Sequence, residues 1–200
     1  MKNNRTIRRK VLTALTLFWM LFIFTMSSAV STVSDYQSDS FIDFLCTIFV
    51  KGYTEMPPAK KMELQDKGTF PVRKCAHMTE YAILGALLSL TITEYLQDSD
   101  SAQQKRLDKS APRKEQSNSE SQTKQSSFAS KILRPAVFIG FLYACTDEFH
   151  QTFVPGRSGE FRDILIDTFG VLLGTLIITR LLPLLARHRT AEGKTGLKYN

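Results

Sequence analysis

Apolar and polar residues are sorted along this chain into long blocks, with little short-period alternation. Residues 11–30 hold no charged side chain, and apolar stretches recur at 75–96, 132–151 and 162–185. Each is close to the roughly 20 residues that a helix needs to cross the hydrocarbon core, where backbone polar groups must be satisfied without water. The pattern predicts an all-α integral membrane protein, a four-transmembrane-helix bundle with spans at about 11–30, 75–96, 132–151 and 162–185.

Between the first two spans, Phe41, Phe44, Leu45, Ile48 and Phe49 fall at i, i+3, i+4, i+7 and i+8, one apolar face of a helix too short to span. This predicts a short interfacial helix at the outer surface. Pro57-Pro58 and the charged run to Lys67 read as an exposed loop. Residues 97–131 hold 12 charged side chains and a single aromatic, Phe128, and read as a disordered cytoplasmic loop that cannot bury a core. The expected organisation is a basic cytoplasmic N-terminus at 1–10, a membrane domain at 11–185 with the insert at 97–131, and a cytoplasmic tail at 186–200. The first span carries one alternative. Arg8, Arg9 and Lys10, an apolar run and Ser27-Ser28-Ala29 also fit a cleaved signal peptide, although the run is longer than most signal cores.

Composition alone conceals this. A hydrophobic share of 43% and a mean hydropathy of −0.12 average two unlike kinds of segment. With 10 Gly, 7 Pro and 3 Cys, the chain is neither collagen-like nor a disulfide framework. Of the 26 Lys and Arg, 17 lie in 1–10, 97–131 and 180–200, a bias that puts both termini in the cytoplasm. The net charge of +7 sits at the flanks of apolar segments, where it suits a lipid bilayer and not nucleic acid.

Gly170 and Gly174 form a GxxxG pair, and Ala82 with Ala86 and Gly140 with Ala144 repeat the small-xxx-small spacing. Such residues let helix backbones approach where lipid gives no hydrophobic drive, so the last three spans are expected to pack on one another.

The candidate chemistry lies in two blocks, Arg73-Lys74-Cys75-Ala76-His77-Met78-Thr79-Glu80-Tyr81 and Thr146-Asp147-Glu148-Phe149-His150-Gln151. Val154-Pro155-Gly156-Arg157-Ser158-Gly159-Glu160 and Asp163 follow the second. Arg73, His77 and Glu80 share one helical face, as do Asp147, His150 and Gln151, and as do Asp163 and Asp167. Charges inside a membrane are costly and usually face a cavity or one another, so these faces are expected to converge in a polar pocket at the outer side, with a purely structural ion network as the alternative. Pro155-Gly156 fits a type II turn, and Arg157 and Arg162 are suited to a phosphate or carboxylate. His77, Glu80 and Asp147 are the acid/base candidates. No HExxH or CxxC spacing and no complete Walker loop is present, so neither a metal nor a cofactor is expected. Cys46, Cys75 and Cys145 belong to no motif, and a Cys46–Cys75 bond stands beside free thiols as the less common outcome.

The blocks Arg73-Lys74-x-x-His77-x-x-Glu80-Tyr81, Asp147-Glu148-x-x-Gln151 and Pro155-Gly156-Arg157-Ser158, followed by Asp163 and the Gly170/Gly174 helix, resemble the VanZ-like family of bacterial membrane proteins. The likeness covers roughly residues 10–185. It implies a multi-pass plasma-membrane protein, with Arg73, Lys74, His77, Glu80, Tyr81, Asp147, Glu148, Gln151, Arg157, Ser158 and Asp163 as its motif residues. Asp167 stands where many relatives have Asn. The founding member is associated with resistance to teicoplanin, a lipid-tailed glycopeptide. Three functions are carried forward: binding or modifying a lipid-linked envelope precursor or a lipoglycopeptide at the outer face, a membrane-embedded hydrolase or transferase acting on a lipid phosphate, and a structural or accessory subunit. The sequence leaves catalysis and oligomeric state open.

Overall fold

The computed structural model describes residues 2–107 and 120–181, and these are all helical apart from short connections. Five helices follow in order: α1 at Lys2–Ser27, α2 at Ser31–Phe49, α3 at Pro58–Leu107, α4 at Glu120–Gln151 and α5 at Phe161–Leu176. A single 3-10 turn, Tyr53–Glu55, links α2 to α3, and α5 runs into a π-helical turn at Ile177–Leu181.

Among the described residues two helices are long and apolar enough to cross a membrane, Asn4–Ser27 and the stretch within Pro58–Gln97. One face of α1 is apolar and open, with Leu17, Phe18 and Leu21 each more than 60% exposed. Its other face packs on α3, where Thr16 Oγ1 lies 3.0 Å from Thr91 Oγ1 and Trp19 Nε1 donates to the Glu80 carbonyl at 2.9 Å. α4 and α5, which carry Asp147, Glu148, Asp163 and Asp167, are not among the two.

α5 packs most extensively on α3 and next on α4. The close approach follows from small residues. A side chain at Gly174 would run into the backbone carbonyl of Ala82, one at Gly170 into that of Met78, and one at Gly85 into that of Val171. The expected Gly170/Gly174 stripe therefore serves packing within the chain, and Gly85 on α3 is its counterpart. Ile23, Tyr81, Leu84, Ala144 and Val171 fill the core between the helices.

The structure changes several expected boundaries. Pro57 through Lys67 is not a loop: Pro58 opens α3, a position where its missing N–H costs nothing, and Glu63 with Lys67 forms an i,i+4 pair at 2.6 Å. α3 continues past Pro71, which removes one hydrogen bond to the Lys67 carbonyl and stands exposed on the helix. The helix expected at 41–49 is the second half of the longer α2, whose inner face meets α3 through Ile42 against Gly68 and through Thr69 Oγ1, which donates to Asp39 Oδ1 at 2.7 Å. The segment 97–131 is helical at both ends, since α3 reaches Leu107 and α4 begins at Glu120. Residues 108–119, the end of the fourth expected span at 182–185 and the tail at 186–200 lie outside the described residues. Residues 2–10 are the first turns of α1. Cys46, Cys75 and Cys145 are free thiols.

Candidate functional site: a buried polar cluster beside an open cavity

The last turn of α4 places Asp147, Glu148 and Gln151 at i, i+1 and i+4, and all three are buried. Gln151 organises them, because its Nε2 donates to Glu148 Oε1 at 3.1 Å and to Asp147 Oδ2 at 3.3 Å. Its own carbonyl oxygen accepts from Arg157 Nη1 at 3.3 Å. A carboxamide suits this position because it donates to the carboxylates and accepts from the guanidinium at once.

The connection from α4 to α5 is built on the expected turn. Arg157 N donates to the Val154 carbonyl at 3.1 Å, and Gly156 takes a φ of 77°, the left-handed geometry that the third position of a type II turn needs. The chain then returns over the end of α4. Gly159 passes so close that a Cβ would stand 2.6 Å from the Glu148 carbonyl, and Glu160 N donates to Glu148 Oε2 at 3.0 Å. A backbone amide after the turn thus holds the protein's own carboxylate. Arg162 leans out, paired to Glu160 at 3.1 Å on the surface, and Ser158 is exposed on the same loop.

α3 contributes the facing residues. Lys74 forms an ion pair with Asp163 at the start of α5, with both side chains largely buried. His77 Nδ1 stands 3.6 Å from Glu80 Oε2, beyond hydrogen-bond reach. Tyr81 is fully buried beside Asp147, and the buried Asp167 on α5 lies in the electrostatic range of His77, Glu148 and Asp147. Four carboxyl groups, Asp147, Glu148, Asp163 and Asp167, therefore meet Lys74, Arg157 and the titratable His77.

α1 closes the cluster. Ser27 Oγ donates to Asp147 Oδ2 at 2.8 Å, and both residues are buried. Four atoms in this region, His77 Nδ1, Tyr81 Oη, Asp147 Oδ1 and Asp163 Oδ1, are buried with no hydrogen-bond partner in the protein. Buried polar atoms are costly to leave unsatisfied, and such a concentration marks a place where water or a ligand group completes the network. No group of three or more His, Cys, Asp or Glu among the described residues is arranged to hold a metal ion.

Against this cluster lies a cavity of about 750 Å³ between α1, α2 and α3. Trp19, Phe22, Phe41 and Leu45 line its apolar part, and Arg73, His77, Glu80 and Arg157 border it with charge. Such a volume lies within the roughly 300–1,000 Å³ of small-molecule sites.

Residues of both sequence blocks, among them His77, Tyr81, Asp147, Glu148 and Gln151, meet here, but not all of them do. His150 turns away to α1, where its Nε2 is 3.0 Å from Ser28 Oγ and its ring packs on Phe24 at 4.3 Å between centroids. Sequence reasoning missed Ser27, which looked like part of a cleavage site, and gave no role to Trp19. The available signal for Ser27 was a small polar residue at the end of an apolar span, level with the second block.

A family model described as VanZ/LLP1 matches residues 12–184 of the chain. No curated protein matches it, and no solved structure does.

Proposed function

Because the chain belongs to the VanZ/LLP1 family, we propose that it is a multi-pass plasma-membrane protein that binds a lipid-linked envelope molecule at the outer face and so contributes to glycopeptide resistance. In this reading α1, α3, α4 and α5 all cross the bilayer, both termini are cytoplasmic, and the polar cluster faces outward. The distribution of Lys and Arg supports that orientation. The observation that carries the reading is the cavity itself, which joins an apolar wall of α1 and α2 to the charged groups of Arg73, His77, Glu80 and Arg157. An amphiphile needs both kinds of surface side by side.

Binding is favoured over catalysis by the placement of the carboxyl groups. Asp147 already accepts from Ser27 and Gln151 and is not among the residues lining the cavity, so it does not share a reacting space with Glu80. An acid/base pair must reach the same substrate atoms within hydrogen-bond distance.

The test is susceptibility of a sensitive Gram-positive host carrying no gene, the wild-type gene, or Glu80→Gln, with membrane levels matched. Teicoplanin and vancomycin are compared because only the former carries a lipid tail. Selective protection against teicoplanin by wild type, lost in Glu80→Gln, supports the reading. Wild type that changes neither susceptibility removes the resistance role.

A further inference from the structure

We propose that the cavity between α1, α2 and α3 is the site of a single-chain amphiphile with a phosphate-bearing head, its chain along Trp19, Phe22 and Leu45 and its phosphate between Arg73 and Arg157. The proposal rests on the outward-facing orientation given above. Three features select this ligand class.

The first is size. A space of about 750 Å³ suits one chain and a compact head, since sites of roughly 300–1,000 Å³ hold ligands of drug size and a two-chain lipid about doubles that demand. The second is polarity. Apolar side chains come from α1, α2 and α3 (Trp19, Phe22, Phe41, Leu45, Val72 and Ile83), while the charged groups come from α3 and the loop after α4, so one space offers both kinds of surface. The third is head chemistry. Arg73 and Arg157 both border the cavity, Arg157 while holding Nη1 on Gln151, and guanidinium nitrogens suit phosphate oxygens; His77 on the same border has a buried Nδ1 without a hydrogen-bond partner. Glu80 on the same border discriminates: a second negative charge on the head would meet a carboxylate, whereas a hydroxyl or an ammonium would be accepted.

Entry is lateral. Phe41 on α2 and Phe22 on α1 border the cavity and remain partly exposed, as expected where a chain slides in from the outer leaflet.

The chain contains 1 Trp, and it is Trp19 on the cavity wall, so its fluorescence reads occupancy directly. Full-length protein is reconstituted in phosphatidylcholine vesicles and titrated with three probes brominated along the chain: lysophosphatidylglycerol, a free fatty acid and two-chain phosphatidylglycerol. The expected result is saturable quenching by lysophosphatidylglycerol at low mole fraction, with the two-chain lipid giving only the linear quenching of bulk lipid. Removal of one charged donor by Arg73→Gln weakens the saturable phase about tenfold. Ala76→Phe, which fills the cavity from an exposed position on α3, abolishes that phase while circular dichroism stays unchanged.

Quenching that is linear and equal for one-chain and two-chain probes at equal bromine overturns the site. Saturation by the fatty acid as tight as by lysophosphatidylglycerol overturns the phosphate assignment. A linear response beside an intact teicoplanin phenotype rejects this ligand and leaves the functional reading standing. Saturable quenching with no glycopeptide phenotype retains the ligand and rejects the resistance role.

Discussion

Ser27, the last residue of α1, donates its hydroxyl to Asp147 on α4 at 2.8 Å, and neither residue is exposed. This one bond makes the first helix a structural member of the polar cluster. Removal of α1 by a signal peptidase would strip Asp147 of the Ser27 hydroxyl that donates to it and take Trp19 from the cavity wall. Ser27→Ala is expected to lower stability by about 1 kcal/mol, the usual worth of a buried hydrogen bond, read as a reduced Tm in detergent. Intact-mass measurement of the membrane-extracted protein should show α1 retained. A mature chain beginning near residue 30 would contradict the assignment of Ser27.

The Lys74–Asp163 pair ties α3 to α5 with side chains only 16% and 14% exposed. Lys74→Met or Asp163→Leu alone leaves one buried charge without its counterpart, at a cost of about 3–5 kcal/mol. The double variant should recover most of that loss, because removing both ions also removes both desolvation penalties. Thermal unfolding of all four proteins measures the coupling, and additive losses would show that the pair is not a unit.

Gly174 and Gly52 separate two reasons for glycine. Gly174→Ala forces α5 away from the Ala82 carbonyl, and overpacking of that kind costs about 1–3 kcal/mol and loosens the helix crossing. Gly52→Ala meets open space, and its only penalty is the positive φ of 74°, about 1 kcal/mol. The expected ranking in detergent Tm is wild type, then Gly52→Ala, then Gly174→Ala. Equal tolerance at both sites would mean that α3 and α5 are not in backbone contact.

Tyr53 supplies a pH prediction outside the spans. Its hydroxyl donates to Asp43 Oδ1 at 2.6 Å, and that bond, with burial adding to it, pushes the phenol up to about 12. A group whose folded value is raised favours the protonated form, so its stabilisation is complete below the ordinary tyrosine value near 10 and is lost as pH rises through about 12. The difference in phenolate absorbance between wild type and Tyr53→Phe should therefore rise only near pH 12. A midpoint at the ordinary value would mean that the Asp43 bond does not form in solution.

The legibility of this chain varied with the kind of force involved. α1 was plain because a long charge-free block has one physical solution in a bilayer. The start of α3 was not, because charge and proline suggested a loop, while the decisive facts were Pro58 in the first helical turn and an α2 surface for Gly68 and Thr69 to rest on. Spacing disclosed that Arg73, His77 and Glu80 share a face and that Asp147 and Gln151 do. It could not disclose pairings made across the fold. His150 lies one turn from Asp147 yet goes to Ser28, and the turn amide of Glu160 goes to Glu148, because those choices depend on where α1 ends and how the loop folds back.

Pro71 gives the cavity a mechanical property. α2, which forms one wall, is fastened by Ile42 and Asp39 to Gly68 and Thr69, on the stretch of α3 before the proline. His77, Glu80 and Tyr81 come after it and are fixed to the bundle. The lost hydrogen bond at Lys67 makes the helix softest between these two attachments. Flexure at that point would shift the α2 wall against the charged groups that follow the proline and so change the width of the slot.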